Sequence, residues 1–341
     1  TEDYKEAIYI KSSADEVVAE TTPKLGDDGT LEYVFTGEET DITLYYGTKD
    51  DFVSAWYGDG SATKYTIRSA EELAYLAKLV NDGTQAFSGK TVTLARDIDL
   101  GGVQWTSIGV GDHPFKGTFA GGVATTTEKL DCYEVFGLNG DLFGVVDSGK
   151  NKTAIQYVTI DGGTGRLVNE LKSGKVENCM SAAKVDSSDE NAAVGGLVGM
   201  AETNATVSSS YYYNADSINV PAVGGSGTVT NCFYLAETST FGSTADENGE
   251  NGDTGARTEA EFAAGRVTWG LNGSEKTLKN SKNYWGQKDA LPYLVLNKPV
   301  YELTLTAKSV PEGMSVTLSK DGQPALKNGN TQYLYYSSGD K

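Results

Sequence analysis

Val176-Glu177-Asn178-Cys179 and Val229-Thr230-Asn231-Cys232 are two copies of one pattern, and Ile155-Gln156-Tyr157-Val158 and Val207-Ser208-Ser209-Ser210 align beneath them. Each fragment opens on a β-branched residue followed by a polar one. The leading residues stand 21, 31 and 22 positions apart, and the glycine-rich segments Gly195-Gly196-Leu197-Val198-Gly199 and Val223-Gly224-Gly225 fall between them. A period near 20 residues is the signature of a solenoid, whose repeats bury their apolar faces only by stacking on one another. The fold class expected from this stretch is all-β: a right-handed parallel β-helix with short capping helices and small flanking β modules.

Stacking gives the aligned slots a meaning. Asn178 and Asn231 are expected at turns, and Cys179 and Cys232 in an internal column with Ser210 between them. Repeats stack at about 4.8 Å, so two cysteines two repeats apart have Cα atoms near 10 Å from each other, beyond the roughly 7 Å reach of a disulfide. Cys132 completes a set of three with no CxxC pair. Free thiols packed as small apolar residues are therefore expected, and neither a zinc site nor a disulfide framework.

Composition agrees with this class. The 341 residues include 41 Gly and 20 Tyr against 3 Met and 7 Pro, a bias toward strands and turns. The net charge of −19 repels nucleic acid and anionic membrane surfaces, so no nucleic-acid partner is expected. No apolar run approaches the roughly 20 residues of a membrane span, so no direct membrane insertion is expected of this segment. The chain opens Thr1-Glu2-Asp3, which reads as a mature or excised piece of a longer multidomain protein.

Outward from the repeats, three regions separate: 1–53, 54–298 and 299–341. In the first, Leu31, Tyr33 and Phe35 alternate, Thr36–Thr40 reads as a turn, and Ile42, Leu44 and Tyr46 alternate again, which predicts a hairpin. Ala7–Ile10 is a further strand and Gly26–Gly29 a turn. In the second, Ser69 and Glu72 form a capping box before Leu73, Leu76, Ala77 and Val80, with Asn81-Asp82-Gly83 as a stop. Such a helix is suited to covering the open end of the first repeat. Strands are expected at Thr91–Leu94, Ile98–Leu100, Trp105–Gly109 and Phe115–Phe119. Beyond the repeats, Thr238–Gly255 reads as an exposed loop. Thr258 and Glu261 then make a second capping box, and Gly265 is the helix C-cap. Trp269, Leu271, Tyr284, Trp285, Leu291, Tyr293 and Leu294 supply apolar mass to close the far end. In 299–341, alternation at Tyr301, Leu303 and Leu305, at Met314, Val316 and Leu318, and at Tyr333–Tyr336, with a turn at Lys320–Gly322, predicts three strands of a small Ig-like module.

Several pieces of 56–296 occur together in an order that resembles the GLUG-motif proteins, large surface proteins of gut-associated and Gram-positive bacteria. They are the helix Ser69–Ala77, the segment Leu94-Ala95-Arg96-Asp97-Ile98-Asp99-Leu100 with Trp105 and Ile108-Gly109, and Phe115–Phe119. Gly195–Gly199, Val229–Cys232, Gly265–Asn272, Trp285 and Leu291–Leu294 continue the succession. The resemblance implies a right-handed parallel β-helix in an exported protein at the bacterial cell surface, with no defined catalytic activity. Phe119-Ala120-Gly121-Gly122 lacks the acidic residue often found in that turn, and Ser208–Ser210 replaces the Asn-Cys slot.

Parallel β-helices also carry pectin-degrading enzymes, so carboxylates were weighed as chemistry. Asp97 and Asp99, two apart on a strand, could face one way as a glycosidase pair requires; beside Arg96 and Gly101-Gly102 they read instead as ligands of loop backbone. His113, the one histidine, precedes Pro114 and reads as a turn residue rather than a catalytic base. Asp246–Asp253 has Asn251 where an EF-hand loop requires glycine, which favours a solvated loop. Tyr211–Tyr213 and Tyr333, Tyr335 and Tyr336 could be platforms for sugars, but alternation turns Tyr212 and Tyr336 away from their neighbours. Gly195–Gly199 is not followed by Lys-Ser or Lys-Thr and is no phosphate loop; its glycines read as room for tight turns.

The expectation is therefore an exported surface module, adhesin-like or stalk-like, that binds a host surface protein or a glycan. It assigns no catalytic, cofactor or metal residues and no specific ligand-binding residue, and it directs attention to the loops 186–193 and 238–255. The rival reading is a carbohydrate-active β-helix enzyme, a lyase or hydrolase, marked by two or three carboxylates about 5 to 10 Å apart in an open groove. A sugar-binding domain without catalysis is the third.

Overall fold

The computed structural model describes the strand backbones at 8–12, 17–21, 24–25, 31–32 and 42–45, and then residues 54, 56–124, 129–185, 195–239, 254–273, 283–317 and 326–337. The molecule is all-β: strands dominate, helices are few, and a parallel sheet of 14 strands among the described residues carries the architecture. No helix among the described residues is long and apolar enough to cross a membrane.

The sheet is built by pairing each segment in parallel with the equivalent segment of the next repeat. One column runs Tyr65, Val92, Phe119, Ile155, Val176, Val207, Val229, each the registered partner of the next. All but the last are buried. The four fragments quoted at the start are thus one register. Two residues after the leading position, Tyr157, Asn178, Ser209 and Asn231 have φ of 57°, 54°, 48° and 51°. Each is in the left-handed region, so the chain bends at the same place in these four repeats, and asparagine fills the slot twice because its short amide tolerates that conformation.

After the bend come two further columns. Cys179, Ser210 and Cys232 succeed one another as expected: the Cys179 backbone N–H donates to Ser210 Oγ at 3.0 Å, and Ser210 pairs with Cys232. Beyond them, Ile98, Val135, Ile160, Ser181, Tyr212, Tyr234 and Ala256 are registered partners. A separate run joins Phe143, Val168, Val198 and Val223, and Val146, Leu171, Ala201 and Gly225. Their inward side chains fill a single core, in which Phe87, Phe115, Phe143 and Phe119 make a chain of ring contacts 5.2–6.2 Å between centroids. Burying side chains of this size stabilises by about 1.5–3 kcal/mol each.

Helix α1, Ala70–Asn81, follows the edge strand Lys64–Ile67 and buries Leu73, Leu76, Ala77 and Val80 in that core. Ser69 caps it, accepting from Glu72 N, but the capping box is not closed on Ser69. The Glu72 carboxylate reaches one residue further back, to Arg68 N at 2.6 Å. Helix α2, Glu259–Ala264, has the complete box between Thr258 and Glu261 and ends on Gly265 at φ 91°. A third helix, α3, Arg266–Leu271, follows at once; Val267 and Leu271 lie one turn apart and are both buried.

Other expectations also change: Trp105–Gly109 forms no strand, only the single bridge of Ile108 to Phe143, and the next strand is Thr118–Ala120. Among the described residues, Ile42–Tyr45 pairs antiparallel with Ile8–Ser12 and Leu31–Glu32 with Lys24–Leu25, rather than with each other as the expected hairpin requires. Alternation assigns faces, not partners; the turn at Thr36–Thr40 lies outside the described residues. The loop after Thr238 ends sooner than expected, because Gly255–Arg257 is a buried strand on Phe233–Leu235. Near the C-terminus Val300–Thr306 pairs antiparallel with Thr331–Ser337, the first and third expected strands. Of the middle strand, Met314 sits in a turn and Val316 makes a single bridge to Leu326; Leu318 and the Lys320–Gly322 turn lie outside the described residues.

Candidate functional site

Asp97 Oδ1 accepts the Glu134 backbone N–H at 2.9 Å, and Asp99 Oδ1 accepts that of Gly101 at 2.7 Å. Asp99 therefore holds turn backbone as expected, whereas Asp97 holds the first residue of the strand Glu134–Phe136 rather than a loop. Flanking the buried Ile98 and its partners Val135 and Ile160, they share an outward face with Glu134, Phe136 and Asp161. Burial, and after it the charges of Asp161 and Asp97, hold the Glu134 carboxyl above the usual carboxylate range; Lys288 opposes this. Glu134 had no motif to announce it. Its signal is only that Glu134-Val135 repeats the acidic–aliphatic pair Asp97-Ile98 at the equivalent register, with Phe136 in the place of Asp99.

His113 is an exposed turn residue, its N–H donating to Val110 O and its ring packed against Gly83 beyond the end of α1. Cys132, Cys179 and Cys232 are free thiols. Burial pushes Cys132 and Cys232 up to about 12 and raises Cys179 as well, which leaves them poor nucleophiles at neutral pH. Tyr212 turns into the main core and donates to Ala183 O, whereas Tyr211 and Tyr213 pack outward against Phe262. Tyr335 is buried against Trp269 and Tyr336 is exposed beside Tyr301. The glycines of Gly195–Gly199 serve close approach, not turn dihedrals: a Cβ on Gly196 would lie 2.4 Å from the Tyr212 ring, and one on Gly195 2.2 Å from Val198 O. The Asp246–Asp253 segment and the loop 186–193 lie outside the described residues. Among the described residues no group of three or more His, Cys, Asp or Glu is arranged to hold a metal ion.

A concave site forms elsewhere, where α1 faces the segment Leu100–Thr106. The groove has a volume of 530 Å³, within the range of about 300–1,000 Å³ typical of small-molecule sites. Along α1 the residues Ala70, Ala74 and Ala77 recur on the side that lines it, and their short side chains leave the space open. Opposite stand Leu100, Val103 and Trp105. Two anchors make this geometry rigid. The Asn81 side chain donates to Ser107 O at 2.9 Å and accepts from Gly109 N at 2.8 Å, tying the last turn of α1 to the facing segment. The Trp105 indole donates to Leu142 O at 3.2 Å, which fixes the ring at the base. Val103 is 68% exposed, an apolar side chain held in solvent at the lip. Glu71, Lys78, Asp82 and Gln104 complete the lining with charged and amide groups. The site thus offers apolar contact at its base and hydrogen-bonding groups around it.

No family model matches this chain, and no curated protein matches it. Among solved structures it is similar to a chain from Bacteroides ovatus described as a "putative immunoglobulin A1 protease", at 16% identity over 68% of this chain and 92% of that one, with a TM-score of 0.36. A likeness of that score says nothing about activity.

Proposed function

We propose that this chain is a right-handed parallel β-helix of the GLUG-motif kind, spanning 54–298 between two smaller β modules at 1–53 and 299–341. It serves as a non-enzymatic, adhesin-like module of a longer exported protein at a bacterial surface. The repeated parallel register and the recurring left-handed bend support the β-helix, and the right-handed sense follows from the near-universal hand of parallel crossovers. The observation that carries the function is the pre-formed groove between α1 and Leu100–Thr106. Its base presents the Trp105 ring and aliphatic carbon, suited to the apolar face of a sugar ring, and Glu71, Lys78, Asp82 and Gln104 are suited to hydroxyls. The ligand class proposed is a glycan.

The test is a glycan array with the purified chain, followed by calorimetry on any hit with the wild type and Ala74→Trp. Ala74 is exposed on α1, so the indole fills the groove without disturbing the core. Binding in the wild type that Ala74→Trp removes, at unchanged thermal stability, is the expected result. Binding that survives this change would displace the groove as the site.

One observation favours the rival, carbohydrate-active reading: Asp97, Asp99, Glu134 and Asp161 share an outward face on three successive strands, which lie about 4.8 Å apart. Reducing-sugar release from pectins or mucins, abolished by Glu134→Gln, would establish that reading and overturn ours.

A further inference from the structure

A second, smaller cavity is lined by residues distinct from those of the groove. The hairpin Trp285–Lys288 and Leu291–Leu294 folds over the outward face of the sheet, where Thr159, Met180 and Tyr211 are successive registered partners. Between hairpin and sheet is a crevice of 140 Å³. A cavity of about 150 Å³ accommodates benzene, so this one has room for a ligand of about five or six heavy atoms.

Its lining combines aromatic and aliphatic carbon with the polar groups of Thr159 and Glu134. Tyr211 and Trp285 meet edge to face with centroids 5.4 Å apart, and both have their polar atoms engaged elsewhere. The phenol donates to Pro292 O at 2.8 Å and the indole to Ser209 O at 2.9 Å, so the rings offer the crevice only carbon. Met180 and Leu294 add thioether and aliphatic surface. One carboxylate lines it, the exposed Glu134, with the charges of Asp161 and Asp97 acting on it and Lys288 on the hairpin opposing them. A crevice that sets two aromatic rings, a thioether and an aliphatic side chain beside a single carboxylate fits a molecule with an alkyl stem and a cationic head.

We propose that this crevice is a binding site for a primary alkylammonium group, the stem lying along Met180, Trp285 and Leu294 and the ammonium pairing with Glu134. Two sources present the same chemistry: a free amine, and a lysine side chain of a partner protein. Entry of the head neutralises a carboxylate that its neighbours repel, and entry of the stem removes alkyl surface from water.

The experiment titrates the full chain with n-butylammonium while the methyl resonance of Met180 is followed by NMR, assigned among the three methionines with Met180→Leu. Saturable displacement of that resonance is expected, with a dissociation constant on the order of 1 mM for a ligand of five heavy atoms. n-Butanol should bind at least about tenfold more weakly, Glu134→Gln should weaken the amine about tenfold, and Lys288→Gln should tighten it by removing a competing cation. Nα-acetyl-lysine N-methylamide forms the second arm. Equal binding of both probes identifies the source as a protein lysine, and binding of the free amine alone identifies it as a small molecule; either supports the site. No saturable displacement, or butanol binding as tightly as the amine, or a Glu134→Gln variant that retains its circular dichroism and binds unchanged, overturns the proposal.

Discussion

Gly196→Ala tests how the repeats are packed. A Cβ at this position would stand 2.4 Å from Cδ1 and Cε1 of Tyr212, against an ordinary contact of 3.4 Å or more, so the ring must retreat by about 1 Å. Tyr212 is fully buried, and its hydroxyl donates to Ala183 O at 3.0 Å. Overpacking of a core of this kind costs about 1–3 kcal/mol, and losing that hydrogen bond adds about 1 kcal/mol. Because φ at Gly196 lies outside the left-handed region, alanine brings no backbone strain and regains about 0.4–1 kcal/mol through the unfolded chain. The net expectation is a loss of about 1.5–3 kcal/mol, read as a lowered guanidinium midpoint at unchanged slope. In a Tyr212→Leu background, where no ring or hydroxyl is present, the same substitution should cost under about 0.5 kcal/mol. Gly195→Ala is the control: its Cβ would meet Val198 O and Gly224 N, backbone that no side-chain truncation removes, and its cost should be equal in both backgrounds. If Gly196→Ala costs the same with and without the tyrosine ring, the account of this glycine is wrong.

Three further outcomes are expected. Ser209→Asn should raise stability by roughly 0.5 kcal/mol, measured by denaturant titration, because φ there is 48° and asparagine occupies the equivalent bend in two other repeats. Thiol titration should find three reactive groups in denaturant and, in the folded protein at pH 8, little reaction within minutes, since burial suppresses every thiolate; prompt native reaction at Cys179 or Cys232 would contradict the packing. Stability should fall as pH rises from about 9 toward 12. The thiols of Cys132 and Cys232 titrate near 8.5 when unfolded and about 12 when folded, so above pH 9 the unfolded chain holds fewer protons and is favoured, by up to about 1.4 kcal/mol per pH unit for each thiol. Burial shifts the Tyr157 and Tyr211 phenols the same way and steepens the loss. A flat pH profile across this window would count against it.

The repeat register was legible because it rests on local chemistry. A β-branched residue starts the strand, a polar one faces out, and a residue tolerant of φ near 50° bends the chain; Val176-Glu177-Asn178 states all three in order. Helix caps were legible for the same reason at Ser69 and Thr258. What sequence could not show are choices among distant partners. Glu134–Phe136 is too short to announce a strand and is one only because Ile98 and Ile160 lie on either side. Ile42–Tyr45 alternates equally well beside any edge, and the one it takes belongs to Ile8–Ser12. The groove is hidden for a stronger reason. Its two walls are apart in sequence, and the small residues of α1 that open it look like ordinary helix formers until Trp105 is placed opposite. The outward carboxylates were half visible, Asp97 and Asp99 as a pair and Glu134 and Asp161 only through the register.

The serine at position 210 interrupts the column of Cys179 and Cys232, one repeat from each. A third cysteine in that place would bring thiols in neighbouring repeats to Cα separations near 4.8 Å, inside disulfide range. With serine there the sulfurs stay about two repeats apart, and the hydroxyl stays saturated, accepting from Cys179 N and donating to Ser208 O at 2.8 Å. The folded column consequently cannot close a disulfide within itself. Ser210 thus keeps the spacing of the stack from presenting any two thiols of this column to each other in the folded chain.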